Sequence, residues 1–183
     1  MTIDDYMAEL SRIDDDAGAL VAPLSDAQAS WRPEEGRRWS VTQNLQHLAK
    51  INELYVAAMR RGLDHARPGP TADNLLEIPG WFGRWFVRVM EPPPRVRTKT
   101  RKIVEPPSTG TVRDALADFL KSQKTIRAFA REAARRNVRA TFTSPFGPLR
   151  FRIGTGLLVL AAHDRRHLWQ ARQVIATPGF PTA

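Results

Sequence analysis

The sequence predicts an all-α protein, a four-helix bundle with a long irregular connection between its second and third long helices. Three observations carry this prediction. Apolar residues recur at three- and four-residue intervals in four long segments, which is the spacing of one helix face. Side-chain caps, glycine or proline stand at the ends of these segments. Because no convincing run of strands accompanies them, the amphipathic helices must bury their apolar faces against one another.

The composition is typical of one soluble globular domain that spans residues 1–183. Hydrophobic residues make up 42% of the chain and charged residues 26%, and the length is sufficient for a real core. The absence of cysteine excludes disulfides, thiolate metal ligands and a cysteine nucleophile. No apolar run approaches the ~20 residues of a membrane helix, and the N-terminus lacks a hydrophobic signal core. We therefore expect a cytoplasmic protein without membrane insertion.

The first part of the chain predicts one long helix and one short one. Apolar residues at helical spacing predict a helix from Thr2 to about Ala22, which Pro23 stops. A short helical turn is expected to follow from Ser25, because Ser25 and Gln28 have the spacing of a capping box.

The second long helix is predicted from Ser40 to Gly62. Ser40 and Gln43 form another capping-box pattern, and Gly62 is the residue type that commonly ends a helix. His47 lies one turn before Ile51 and therefore borders the buried face of this helix.

The connection over residues 64–110 is rich in proline and glycine, which predicts a largely irregular segment. It contains one short candidate helix at residues 81–88. Its spacing is expected to gather four aromatic rings on one side of the helix, where they pack on the core, cover a metal pocket or form a homodimer contact. A membrane-surface role is less favoured, because the segment is short and lacks a sustained basic face. The four aromatic residues are Trp81, Phe82, Trp85 and Phe86.

The last third of the chain predicts two more long helices. One runs from about Thr111 through Ala133, and the other from Thr155 to Ala176, where a T-P-G sequence ends it. Between them, residues 140–152 alternate loosely about a proline and a glycine and predict a hairpin-like loop.

Two of the four histidines lie in the last helix, four residues apart. An i, i+4 spacing places His163 and His167 on one helix face, where two imidazoles can share a metal ion. A lone histidine near an apolar face is more often a hydrogen-bonded core residue, but two buried imidazoles need partners for four ring nitrogens. His47 can join the pair only if the second and fourth long helices are neighbours. His65 follows the second helix and is expected in a surface loop.

A three-histidine site without cysteine leaves coordination positions open for water, substrate or a thiol. Imidazole accepts several divalent metals, so the donor set alone does not select one. The prediction is zinc or nickel first, with iron, manganese or cobalt as alternatives.

Two stretches of the chain resemble a known family. They are W-S-V-T-Q-N-L-Q-H-L at residues 39–48 and H-D-R-R-H-L-W-Q at residues 163–170. Both resemble the DinB/YfiT-like superfamily of metalloenzymes, whose members are four-helix bundles that bind a divalent metal. Several members use the metal to activate a low-molecular-weight thiol, bacillithiol or mycothiol. The metal ligands that the resemblance implies are His47, His163 and His167.

The leading functional prediction is a metal-dependent enzyme with a small-molecule substrate, such as a thiol-dependent S-transferase. A hydrolase that activates water is the alternative. No general base is evident: Asp164 should point about 100° away from the ligand face and pair with an arginine. Asn44 and Gln170 lie one turn from ligands and are candidates for contacts with the imidazoles or the substrate, although ordinary polar packing explains them as well.

The net charge of +9 suggests a non-catalytic alternative, a basic helical bundle that binds nucleic acid. The basic residues are spread along the chain rather than gathered in a patch, which argues against it. The one dense stretch, R-V-R-T-K-T-R-K at residues 95–102, is expected to be a solvated loop rather than a binding arm.

Overall fold

The computed structural model describes residues 1–69, 80–94, 104–107 and 109–182. Most of this part of the chain is helical, and one short antiparallel hairpin accompanies the helices. The helices and strands are α1 (Ile3–Val21), α2 (Asp26–Ser30), α3 (Val41–Asp64), α4 (Trp81–Met90), α5 (Val112–Arg136), β1 (Thr141–Thr143), β2 (Arg150–Arg152) and α6 (Ile153–Ile175). The basic stretch at 95–102 lies outside the described residues.

The four long helices form the predicted four-helix bundle. α3 packs against α5 and α6, and α1 packs against the same two helices. The order around the bundle is therefore α1, α5, α3, α6, which makes the helix of His47 a neighbour of the helix of His163 and His167. Among the largest fully buried side chains of the core are Tyr6, Leu10, Leu45, Phe119, Phe129 and Leu157.

Both predicted capping boxes are present. Ser25 accepts a hydrogen bond from the backbone N–H of Gln28, whose side chain accepts one from the backbone N–H of Ser25. Ser40 and Gln43 make the same reciprocal pair, with both distances 3.1 Å. These bonds satisfy backbone donors that the first turn of a helix leaves without partners. The cap at Ser40 fixes the start of α3, one turn before Asn44 and two turns before His47.

The predicted end of the second helix at Gly62 is wrong, because α3 continues to Asp64. Gly62 serves the packing of the hairpin instead: a Cβ atom added there would lie 2.6 Å from the carbonyl oxygen of Thr141. Gly156 of α6 has a similar role, since its added Cβ would lie 2.6 Å from the ring of Phe142. Two glycines therefore admit β1 between α3 and α6.

The hairpin itself is as predicted, with β1 and β2 paired antiparallel and Phe142 opposite Phe151. Both phenylalanines are buried. The hairpin thus adds an aromatic layer over one end of the α3–α6 interface.

The four aromatic rings of α4 lie together, as the sequence predicts, because the ring of Phe82 is 6.1, 5.8 and 6.4 Å from those of Trp81, Trp85 and Phe86, but they differ in what else they contact. Phe82 and Phe86 pack on Phe151, with ring centroids 6.2 and 5.0 Å away. Trp81 and Trp85 instead point outward and are 76% and 53% exposed. The helix is therefore anchored to the hairpin and α6 by its phenylalanines and presents its tryptophans to solvent.

Among the described residues, no helix combines the length and the apolar character needed to cross a bilayer.

Candidate metal centre

Three histidines from two helices meet at the α3–α6 interface. The ring centroids of His47 and His167 are 4.6 Å apart, those of His163 and His167 4.5 Å, and those of His47 and His163 5.3 Å. Each imidazole offers one nitrogen to the group, and these nitrogens all lie within 4.8 Å of one another. Two metal–imidazole bonds of about 2.0–2.1 Å hold their nitrogens at most about 4 Å apart, so a small inward shift would let the three imidazoles share one ion. The fourth histidine, His65, is exposed as predicted and bonds the carbonyl of Arg61.

One ring nitrogen of His47 has a backbone partner. Its Nδ1 lies 2.9 Å from the carbonyl oxygen of Val104, and the side chain is 4% exposed. A carbonyl only accepts, so Nδ1 carries the hydrogen and donates it. The tautomer that results leaves the lone pair on Nε2, the arrangement found in metal-binding histidines.

His167 is held in the same way by a side chain of α3. Its Nδ1 lies 2.9 Å from Oδ1 of Asn44, while Nδ2 of Asn44 donates to the carbonyl of Ser40 at 2.8 Å. The second bond fixes which end of the amide faces the imidazole. Asn44, predicted as a candidate contact, thus orients His167 from the first turn of α3.

His163 differs from the other two, because its Nδ1 is buried and has no hydrogen-bond partner in the described protein. A buried polar atom without a partner is costly. The cost is offset if a group from outside the protein binds there. A metal ion that shares this site with two oriented imidazoles fits the residues present.

All three imidazoles have a pKa below the usual value for histidine. Burial lowers the pKa of His47, although its bond to the Val104 carbonyl opposes the shift. Burial, together with His47 and Arg166, lowers the pKa of His163 to about 3. Burial and the neighbouring histidines also place the pKa of His167 well below its usual value. The rings are therefore neutral at pH 7, the protonation state in which imidazole binds a metal.

A tryptophan covers the histidine cluster on one side. The ring of Trp39 lies 4.8 Å from that of His47 and stacks on that of His167 at 5.9 Å, with 25° between the planes. Trp39 immediately precedes the cap at Ser40, so the start of α3 also positions this ring. Its indole limits the access of water to two imidazoles.

The cluster lines a groove of about 1160 Å³. α3 and α6 form its floor, and α4, the hairpin and the segment before α3 contribute to its walls. Gln170, the second candidate contact, lines the groove beyond His167. Other lining residues include Arg37, Arg38, Ile51, Tyr55, Phe86, Phe146 and Arg166.

Asp164 faces away from the groove, as the helical geometry predicts, but its predicted pairing with an arginine is wrong. The side chain is fully buried and accepts a hydrogen bond from Nε2 of Gln123 at 2.7 Å. The neighbouring Arg165 pairs with Glu9 and Glu91 instead. α6 passes between α5 and the groove, so consecutive residues enter different surroundings.

Sequence reasoning missed two residues of the groove. Arg166 was overlooked although it lies between the two histidines and only three residues after His163, which places it near the same helix face. Tyr55 is a buried residue of the core that also lines the groove; it follows His47 by eight residues and so continues the same stripe along α3. Both residues could have been found in the sequence from their helical spacing relative to a histidine.

Comparison with known proteins agrees with this fold. Residues 9–171 match the sequence model of the DinB superfamily, and the chain therefore belongs to that superfamily. The structure is similar to that of YfiT from Bacillus subtilis, described as a probable metal-dependent hydrolase with an unusual four-helix bundle topology. The TM-score is 0.65 at 16% sequence identity, and the similarity covers 98% of this chain and 89% of YfiT. No curated protein matches the chain.

Proposed function

We propose that this protein is a metal-dependent hydrolase and that His47, His163 and His167 hold its divalent ion. One observation carries the proposal: three neutral imidazoles, those of His47 and His167 buried and that of His163 half-buried, converge at a groove, and one nitrogen of His163 has no partner in the described protein. The description of YfiT, which shares the fold, as a probable metal-dependent hydrolase supports the same reaction class.

The residues around the ligands prepare the site for a cation. The carbonyl of Val104 and the amide oxygen of Asn44 select the tautomers of His47 and His167. Trp39 covers the two rings and limits the access of water. When bound, a divalent ion held by neutral ligands supplies Lewis acidity and makes water or a thiol nucleophilic at neutral pH.

The metal is proposed to be zinc or nickel, with iron, manganese or cobalt as alternatives. Three imidazoles with an open position are a donor set found in catalytic zinc sites, which supports zinc first. The same donors accept the other metals.

A thiol-dependent S-transferase is the second candidate, and the lining of the groove favours it in one respect. Its described lining contains one carboxylate, Glu34, which is exposed on the rim. Among the described lining residues, no general base lies beside the imidazoles. A thiol binds as the thiolate and therefore depends on a general base less than water does. The groove is also large enough for a low-molecular-weight thiol such as bacillithiol or mycothiol together with a second substrate.

The first test is the metal content of protein purified without a histidine tag. We expect about one divalent ion per chain in the wild type and in His65→Ala, and little in His47→Ala, His163→Ala or His167→Ala. Chelator should lower the melting temperature of the wild type and leave that of His163→Ala almost unchanged, because the ion binds the folded chain. Equal metal content in all variants would remove the proposed site.

The second test separates the two reactions. A hydrolase should cleave 4-nitrophenyl butyrate with zinc added and lose this activity in His163→Ala. An S-transferase should instead conjugate monochlorobimane to bacillithiol or mycothiol, with the same dependence on His163. Absence of metal together with a DNA affinity that falls steeply with salt would favour the nucleic-acid alternative.

Two further expectations stay predictions, namely a homodimer and a cytoplasmic location. The exposed Trp81 and Trp85 support a contact between copies of the chain. Sedimentation of the wild type and of Trp85→Ser compares their masses directly, and equal monomer masses would contradict the homodimer.

A further inference from the structure

The lining of the groove differs between its two ends. Apart from the histidines, the charged residues of the described lining are Glu34, Arg37, Arg38 and Arg166. The first three belong to the segment before α3, and Arg166 lies between the two histidines of α6. The lining residues that α4 and the hairpin contribute carry no charge, and they are Phe86, Met90, Ser144, Phe146 and Leu149. The groove therefore has a charged end and an uncharged end.

The uncharged end lies on the hairpin side of the histidine cluster, because α3 and α6 run antiparallel. Asn44 in the first turn of α3 contacts His167 in the second half of α6. At the other end of the pair, a Cβ atom added to Gly62 of α3 or to Gly156 of α6 would lie 2.9 or 2.6 Å from the phenylalanine of β1. Residues that follow the histidine of α3 and residues that precede those of α6 therefore extend from the cluster toward the hairpin.

The helical residues between the histidines and the hairpin are apolar or aromatic. Ile51 and Tyr55 follow His47 by one and two turns of α3. Val159 and Leu160 lie one turn before the first histidine of α6. Eight residues of helix rise about 12 Å, so this part of the groove has room for an alkyl chain or an aromatic ring.

The hairpin loop closes the uncharged end. The ring of Phe146 lies 5.8 Å from that of Tyr55. The hydroxyl groups at this end already have partners, because Tyr55 and Ser144 share a hydrogen bond and Oγ of Ser144 accepts from the backbone N–H of Phe146 at 3.2 Å. Leu149 of the same loop lines the groove and is 43% exposed. The described side chains of this end therefore offer apolar contacts rather than charges or unpaired hydroxyl groups.

The geometry points to a substrate that carries an uncharged alkyl or aryl group, bound against Tyr55, Phe146 and Leu149, while its reacting bond lies beside the three histidines. Small-molecule sites commonly combine an apolar and aromatic lining with a few polar groups that fix the orientation of the ligand. Burial of the apolar group contributes binding free energy in proportion to the surface removed from water. This inference rests on the proposed function, because it places the reacting bond at the proposed metal ion.

Calorimetric titration of the zinc-loaded protein tests the inference with three hydroxamates, which share a head group that binds zinc. Octanohydroxamate should bind at least about 100-fold more tightly than acetohydroxamate, because its chain reaches the uncharged end. Suberic monohydroxamate has the same chain length but ends in a carboxylate, and it should bind at least about tenfold more weakly than octanohydroxamate. The inference is overturned if octanohydroxamate binds no more tightly than either of the other two.

Substitutions of Leu149 locate the alkyl chain. Leu149→Ser should weaken octanohydroxamate by about threefold to tenfold and leave acetohydroxamate unchanged. Leu149→Lys places a cation at the uncharged end and should reverse the preference between octanohydroxamate and suberic monohydroxamate. Trp81→Ser is the control, because Trp81 is 76% exposed and does not line the groove. Since Leu149 is a partly exposed loop residue, both variants should fold, and unchanged affinities in both would overturn the inference.

The neutral fluorophore N-phenyl-1-naphthylamine separates this inference from the proposed function, because it needs no metal. Its emission should increase with metal-stripped wild type and increase less with Leu149→Lys. If zinc binds but neither the fluorophore nor octanohydroxamate depends on Leu149, the inference fails and the metal site stands. If no metal binds but the fluorophore depends on Leu149, the proposed function fails and the apolar binding site stands.

Discussion

His163 and Asp164 are consecutive residues of α6, but they belong to two different buried polar clusters. His163 faces the groove with His47 and His167, and its Nδ1 has no partner in the described protein. Asp164 faces the interior of the bundle and accepts a hydrogen bond from Gln123.

The interior cluster joins three helices through short contacts among its own members. Nδ2 of Asn52 on α3 donates to Oγ of Ser122 on α5 at 3.1 Å, and Gln123 beside it reaches Asp164 on α6. Burial raises the pKa of Asp164 to about 8, so the acid is largely neutral at pH 7. Its proton supplies a donor to a cluster in which one oxygen each of Asn52, Gln123 and Asp164 lacks a hydrogen bond.

The contrast lies in the direction of the hydrogen bonds. In the interior cluster, the polar groups bond to one another and tie helices together. In the histidine cluster, the bonds of His47 and His167 run outward to Val104 and Asn44, and the remaining nitrogens converge. Burial of polar side chains is therefore common to both clusters, and the proposed metal site rests on the convergence of unshared nitrogens on a groove.

The largest expected effect is on metal affinity, which should depend on the histidine cluster and not on the interior cluster. His163→Ala should lower it by at least ~100-fold, more than the 10–100-fold typical of residues that only support a ligand. Asp164→Asn should change it little, because this side chain faces away from the groove. Competition with a fluorescent zinc chelator measures both affinities. A comparable loss of metal affinity in the two variants would contradict the assignment of metal binding to the histidine cluster alone.

Asn44→Ala tests whether the outward hydrogen bonds matter. Without the amide, His167 loses the acceptor that fixes its tautomer, so metal affinity should fall by about 10–100-fold. Gln46→Ala is a matched control on the same helix turn, since Gln46 donates to the carbonyl of Thr109 and not to a histidine. An unchanged affinity in Asn44→Ala would mean that packing alone orients His167.

Asp164→Ala should act on stability instead. It removes the acceptor of the buried Gln123 amide and should lower the free energy of unfolding by about 1–3 kcal/mol. Urea unfolding in the presence of chelator measures this loss without the contribution of metal. Under the same conditions His163→Ala should lower the free energy of unfolding by less, because Nδ1 of His163 has no hydrogen-bond partner in the described protein that the substitution would leave unsatisfied. The reverse order of stabilities would make the histidine cluster the structural one.

The smallest effect concerns charges on the surface of the same α3–α5 interface. Glu132 bonds Arg60 and Arg136, and its hydrogen bond to Arg136 is the main cause of a pKa below the usual value. A lowered carboxylate pKa stabilises the folded state above the unfolded pKa, near 4.5, and the contribution is lost as the pH falls through the folded value. Glu132→Gln should therefore melt slightly lower than the wild type at pH 7, and the difference should shrink as the pH falls below 4.5. A difference that does not change with pH would implicate packing rather than charge.

Most of the bundle could be predicted from local sequence. The periodic apolar residues and the caps at Ser25 and Ser40 act within a few neighbours, so the pattern that forms them is visible in the chain. The errors occur where a distant segment intervenes. Gly62 resembles a helix end, but it lies inside α3, where a glycine fits because β1 approaches the backbone.

For the site, the sequence by itself determined which residues are available: a histidine on α3, an i, i+4 pair on α6, and no cysteine. Only the tertiary structure decided that α3 and α6 are neighbours, that Val104 and Asn44 turn two imidazoles toward a common point, and that Arg166 enters the same groove. The physical reason is that hydrogen bonds between helices and the shape of a groove depend on packing between segments distant in the chain. Helical register, by contrast, is set by adjacent residues.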